Sequence, residues 1–288
     1  MLAAWAGIIQ IIDGGALIVG GALWIVAVVW LFRRGLQSNP LRGLRPPHAA
    51  PPLHFPLALI VGYFAAVWIL IESFLTIADR AEAATLGSDA FMRVQMIDAA
   101  AKLLMIVIMS GVLVWMPARW HGVRRLSLPK LTGIALGTLL ALIALMALQL
   151  KTGEILWRWT HPSEPPPVHP VLTCLHENAW GVAGTAMFAF SAIVIAPLAE
   201  EFFFRGLLAP ALWQATGSAW LAAVLSGAAF GLIHGQPQDI APLIALGIAL
   251  AALRFATGSL AICVGIHALF NARTIFAALL APELLKPE

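Results

Sequence analysis

The chain has 288 residues, 61% of them hydrophobic and 11% charged, with a mean hydropathy of +0.90. A water-soluble domain of this length does not carry so apolar a composition, so most of the chain sits in lipid. The formal charge of +3 comes without any basic, aromatic-interleaved stripe, which argues against nucleic acid as a partner and for loops that face anionic lipid.

In a hydrocarbon core of about 30 Å every backbone amide must be satisfied within its own segment, so spans are helices of about 20 residues or closed barrels. The apolar runs here are helix-length and do not alternate, which predicts an all-α integral membrane protein. In chain order the runs are Ile8 to Phe32, Phe55 to Ile77, Met96 to Met116, Leu131 to Leu150, Ala179 to Leu198, Ala219 to His234, Ile240 to Phe255 and Ser259 to Leu280. About eight transmembrane helices are therefore expected, the sixth and seventh short for a full crossing. Pro197 predicts a kink or break just before two consecutive acids. Residues 1–288 read as one polytopic domain: four spans over 1–150, a Pro-rich extramembrane loop over 151–178, and a polar-motif core over 179–288.

The first run lacks a basic segment ahead of it and is too long for a signal-peptide core, so it reads as a retained span. Arg33, Arg34, Arg42 and Arg45 follow it, and Arg119, Arg124, Arg125 and Lys130 follow the third run. By the positive-inside rule both loops are cytoplasmic and the N-terminus is outside. Cys174 and Cys263 stand in different environments and have no metal-finger spacing. The fourth loop gathers His161, Glu164, His169, Cys174, His176 and Glu177 around three prolines, Pro165 to Pro167. Their spacing resembles no metal site, and the loop reads as a Pro-stiffened linker.

Ionisable residues inside spans are costly and are sorted by depth and partner. Asp98 and Lys102 stand four apart and neutralise each other on one helical face. Asp13 and Glu72 lie near span ends within reach of the interface, and Arg254 ends a span. Arg273 either snorkels or pairs.

The remaining polar residues form a pattern. Glu201 and Arg205, Phe230 and His234, and His267 and Asn271 are each i, i+4 neighbours on a helix face. Glu201 pairs with Arg205, and Glu200, about 100° round the helix, points elsewhere. A turn signal at Ala215 to Ser218 closes a hairpin in which Glu200 and His234 are equidistant from Gly217, hence at matching depth. Counting from the turn at Ala256 to Ser259 leaves His267 and Asn271 about 10 Å away from that depth.

The ordered set Glu200-Glu201-Phe202-Phe203-Phe204-Arg205, Phe230-Gly231-Leu232-Ile233-His234 and His267-Ala268-Leu269-Phe270-Asn271 resembles the three motifs of the type II CAAX prenyl protease and bacteriocin-processing family of intramembrane proteases. The resemblance implies an eight-helix fold with a polar catalytic cavity in the bilayer, and hydrolysis of a membrane-associated or lipidated protein or peptide. It implies Glu200 as the base that activates water, His234 as the residue that shares or positions that water, and His267 and Asn271 as oxyanion donors, with Glu201, Arg205 and Phe230 in structural support. A buried carboxylate suits proton shuttling on general grounds. No cofactor is expected, but Glu200, His234 and His267 also compose a zinc donor set, against which stands the lack of an HExxH pair. A catalytically silent membrane scaffold is the alternative function. A proton-coupled transporter is a further one, weakened by the lack of an internal repeat. The expected location is the plasma membrane of a bacterium.

Overall fold

The computed structural model describes residues 2–34, 41, 50–76, 79, 82, 85, 88–115, 127–164, 171, 174–175, 177–234 and 237–280. They form an all-helical integral membrane protein. In chain order the long helices are α1 (Leu2–Arg34), α2 (His54–Phe74), α3 (Asp89–Trp115), α4 (Leu128–Thr160), α5 (Gly181–Thr216), α6 (Ala219–Leu232), α7 (Pro237–Thr257) and α8 (Leu260–Leu280). Seven of these are long and apolar enough to cross a membrane; α6, with 14 residues, is not. At 1.5 Å per residue α6 rises only about 21 Å, short of a hydrocarbon core of about 30 Å. The outer faces of α1 and α2 carry exposed Ile11, Ile18, Val61 and Trp68, as a lipid-facing surface requires. Arg42, Arg45, Arg119, Arg124 and Arg125, on which the expected orientation rests, lie outside the described residues, as do Pro165 to Pro167, His169 and His176. The first ten residues assigned to the fourth loop instead continue α4, where Glu154 pairs with Lys151 and Arg158.

The expected break at Pro197 does not occur. α5 runs through the double acid as one 36-residue helix, with two wide π-helical stretches at Ser191–Ile195 and Phe202–Leu208. Each stretch ends two residues before a proline, Pro197 and Pro210. Proline lacks a donor and its ring crowds the carbonyl four residues back. A π-turn shifts that bonding frame by one residue, so the helix continues past the proline.

Gly217, at φ 68°, ends α5 in the left-handed conformation, and the Ser218 hydroxyl accepts from the Leu221 amide to start α6. The hairpin expected from the turn signal is present. α6 and α7 then pack so closely that a Cβ on Gly227 would stand 2.6 Å from the Ile248 amide nitrogen, and one on Gly231 2.8 Å from the Ile240 carbonyl oxygen. This small-xxx-small spacing lets the two backbones meet at Gly247. The main core joins Met105 and Met109 of α3, Phe203 and Phe204 of α5, Phe230 of α6, Leu246 and Leu250 of α7, and Ile266 of α8. α1 lies against α4, where Gly20 meets the Leu140 carbonyl, and Asp13 of α1 pairs with Arg273 of α8.

Gly227→Ala is expected to destabilise the detergent-solubilised protein by about 1–3 kcal/mol, the range for overpacking a close contact. Gly111→Ala, where nothing lies within 4 Å of the added carbon, serves as the control and should leave the melting temperature unchanged or raise it. Thermal unfolding of both variants checks this.

Candidate active site

Helix register separates the two adjacent acids. Glu201 faces the core and is fully buried, whereas the Glu200 side chain retains 14% exposure. The Arg205 guanidinium, also fully buried, donates to Glu201 Oε1 at 2.7 Å and to the Gly247 carbonyl at 3.1 Å. It lies over the Phe230 ring, 4.6 Å from the centroid. The expected helix-internal pair is therefore present, and α7 and α6 add the Gly247 carbonyl and the Phe230 ring to its arginine end. Arg254 Nε, one turn from the end of α7, donates to the Arg205 carbonyl.

His267 of α8 approaches the same acid, with Nδ1 2.9 Å from Glu201 Oε1. A carboxylate already bound by arginine is an acceptor, so Nδ1 carries a hydrogen and donates. His234 lies just beyond α6, and its Nδ1 stands 2.7 Å from the Phe230 carbonyl. A carbonyl only accepts, so this Nδ1 is also a donor. Both imidazoles are thereby turned with Nε2 towards Glu200 Oε2, at 3.9 Å for His234 and 3.8 Å for His267. These gaps are too long for direct hydrogen bonds and short enough for one shared water. Phe230 organises this arrangement: fully buried, it packs edge-on against Phe204, His234 and His267.

The depth discrepancy expected for His267 disappears because the two turns lie at different levels. Arg254 reaches both the Arg205 and the Gly258 carbonyls, which sets the α7–α8 turn near Arg205 rather than at the depth of Gly217. His267 then climbs from there to Glu201.

The Asn271 Nδ2 donates at 2.8 Å to the Ala192 carbonyl, inside the first π-turn. One amide hydrogen is thus engaged, and the second is the one available to another acceptor. The site residues that the sequence did not single out are backbone partners, Gly247 for Arg205 and Ala192 for Asn271, whereas Phe230, which it did single out, also lends its carbonyl to His234. Their signals were readable in part, as the Gly227 and Gly231 spacing and the prolines that follow the π-turns. Among the described residues no three His, Cys, Asp or Glu side chains are grouped to hold a metal ion. Of the loop residues weighed as ligands, Cys174 is buried, and His161 stacks on Trp157 and contacts the Thr160 hydroxyl. Burial, followed by the nearby charge of Glu177, pushes the Cys174 thiol above its ordinary pKa.

Residues 182–273 match the family model of the type II CAAX prenyl endopeptidases, Rce1-like. The matched stretch contains every residue of the cluster around Glu200 and Glu201. No curated protein and no solved structure matches the chain.

Removing one member of a buried ion pair strands the other, at about 3–5 kcal/mol. Arg205→Ala should therefore lower the folded yield and the melting temperature. Glu201→Gln/Arg205→Met, which removes both charges, should recover part of that loss. Size-exclusion profiles of the detergent-solubilised variants check the order wild type, double variant, single variant.

Proposed function

We propose that this chain is an intramembrane endopeptidase that hydrolyses a peptide bond in a membrane-associated or lipidated protein by water activated at Glu200. The observation that carries the reading is a partly exposed carboxylate faced by two imidazole Nε2 atoms at near-equal distance. The family match to an endopeptidase supports the same reaction class. A water among these three groups gives its proton to Glu200 as its oxygen attacks the substrate carbonyl carbon. The C–N bond of the resulting tetrahedral species then breaks, with Glu200 returning the proton to the departing amine.

His234, with Nδ1 committed to the Phe230 carbonyl, offers Nε2 as an acceptor that orients the water. His267 and Asn271 are the proposed oxyanion donors. For His267 the geometry sets a condition. Its Nδ1 already donates to Glu201, so Nε2 donates only when the ring is an imidazolium, a form that Glu200 and Glu201 flank with negative charge. Asn271 contributes its second amide hydrogen. The proposed substrate is reached from within a bilayer, with the plasma membrane of a bacterium as the proposed location.

Zinc held by Glu200, His234 and His267 would supply a Lewis acid to the same water. The reading preferred here needs none, because the carboxylate itself can accept the proton.

Glu200→Gln keeps the shape and removes the base, so kcat should fall by about 10² to 10⁴ with little change in KM. Purified protein would be assayed on an S-prenylated cysteine peptide, the substrate type in the matched family's description, before and after a strong chelator. Activity that survives chelation and is lost in Glu200→Gln is expected. Stoichiometric zinc whose removal abolishes cleavage and whose return restores it would recast the site as metal-dependent, and undiminished cleavage by Glu200→Gln would refute the reading.

A further inference from the structure

Several charges at membrane depth are answered close by: Lys102 by Asp98, which also accepts from the Tyr63 hydroxyl, and Arg205 by Glu201. Arg273 of α8 differs, because its partner Asp13 stands 260 positions earlier in the sequence, on α1. The contact is a fork on a fork. Arg273 Nε donates to Asp13 Oδ1 at 3.1 Å, and Nη2 donates to Oδ2. A guanidinium and a carboxylate joined by two parallel hydrogen bonds fix their mutual orientation as well as their distance. Both residues lie within spans, Ile8–Val26 and Leu260–Leu280, where ionisable groups are costly and are retained for a function by default.

α1 does not need this pair in order to stay in the bundle. It meets α4 closely where Gly20 lies against the Leu140 carbonyl, and Trp24 Nε1 donates to the Ala141 carbonyl at 2.9 Å. An ion pair that only added adhesion could be replaced by apolar side chains, since such replacement is often neutral or stabilising. What the fork supplies beyond adhesion is a directional hold on α8.

That hold falls beside the candidate active site. Arg273 follows Asn271 by two residues, about 3 Å along α8 and about 200° round it. Asn271 and His267 share the face turned to α5, where they donate to the Ala192 carbonyl and to Glu201. Arg273 leaves from the opposite face and reaches α1. α8 is thus gripped on both sides near one level, and the angle at which it is held decides where the second Asn271 amide hydrogen points. Asp13 lies outside the stretch 182–273 that matches the family, so this grip comes from a helix that the family model does not cover.

We infer that Asp13 and Arg273 are positioning residues: their fork sets the rotation of α8 and thereby the placement of the Asn271 amide beside Glu200. The consequence for rate rests on the hydrolase reading; the setting of Asn271 does not.

Two readouts keep these apart. The sequence has asparagine at Asn39, Asn178 and Asn271 only, so protein labelled with nitrogen-15 asparagine shows three side-chain amides by NMR. The Asn271 signal is assigned by its loss in Asn271→Ala. Asp13→Leu/Arg273→Met removes both charges, strands neither, and should melt no lower than wild type. In this variant the Asn271 amide signal should shift while that of Asn178 stays. Arg273→Lys, which keeps the attraction but not the fork, should shift it part of the way. On an S-prenylated cysteine peptide the double variant should lose kcat by about tenfold or more, towards the roughly 10² to 10³ that one oxyanion donor is worth, with KM nearly unchanged. A pair that only fastened α1 would lower the folded yield and leave kcat per folded molecule alone. An unshifted Asn271 signal, or a kcat per folded molecule equal to that of wild type, overturns the inference and leaves hydrolysis at Glu200 standing. A shifted signal in a protein whose wild-type form cleaves none of the peptide keeps the setting of Asn271 and sinks the hydrolase.

Discussion

An arginine and a glutamate buried without any contact with solvent constrain everything around them. Taking both charges out of water is expensive, and the pair is tolerated only if its attraction is supplemented by further hydrogen bonds. Arg205 obtains these from the Gly247 carbonyl and from the face of Phe230, and Glu201 from His267. Each partner comes from a different helix, so the pair ties α5 to α6, α7 and α8 at once. The Gly247 carbonyl is within reach only because α7 crosses α6 backbone to backbone, which Gly227 and Gly231 permit. Even so, Glu201 Oε2 and Arg205 Nε find no partner among the described residues, a sign that the pair is retained for position more than for stability.

The helix that carries the pair is shaped by its prolines. A straight α-helix through Pro197 would crowd the carbonyl of Ile193, and the π-turn at Ser191–Ile195 relieves this by widening one turn. Widening also frees a carbonyl, that of Ala192, which Asn271 of α8 then caps. The same side chain proposed to assist chemistry thus locks the irregular backbone just before the double acid. Irregular backbone at membrane depth is admissible only where neighbouring helices satisfy it. Here α8 does so.

Much of this was legible in the sequence, for physical reasons that also mark where legibility ends. Spans were readable because lipid demands long apolar helices, and i, i+4 pairs because one helix fixes their geometry. Glu201 with Arg205 and Asp98 with Lys102 are of this kind. The reach of α5 through Pro197 was not readable, since a proline breaks, kinks or widens a helix according to tertiary context. The depth of His267 is not readable from the positions of the turns, because the end of α7 lies near Arg205 and the two hairpin turns are not at one level. Tyr63 escaped notice because a lone tyrosine in an apolar run carries no spacing signal; only the packing of α2 on α3 reveals its acceptor. The pairing of Asp13 with Arg273 joins the two ends of the described chain, and no local pattern encodes such a contact.

Adjacency of two acids looks wasteful in a membrane, where each charge is costly, yet the helix turns it into a division of labour. A rotation of about 100° between neighbours sends one carboxylate into the sealed core and the other towards an accessible edge. The histidines divide in the same way: the His267 side chain is 2% exposed and His234 30%. The sealed members, Glu201 and His267, share a hydrogen bond and fix the frame. The accessible members, Glu200 and His234, share no direct bond and keep a gap that a water can occupy. Since His267 touches Glu201 through one nitrogen and faces Glu200 through the other, any change in the buried pair is felt at Glu200 through a single ring. The buried pair therefore also orients the ring that faces the proposed base.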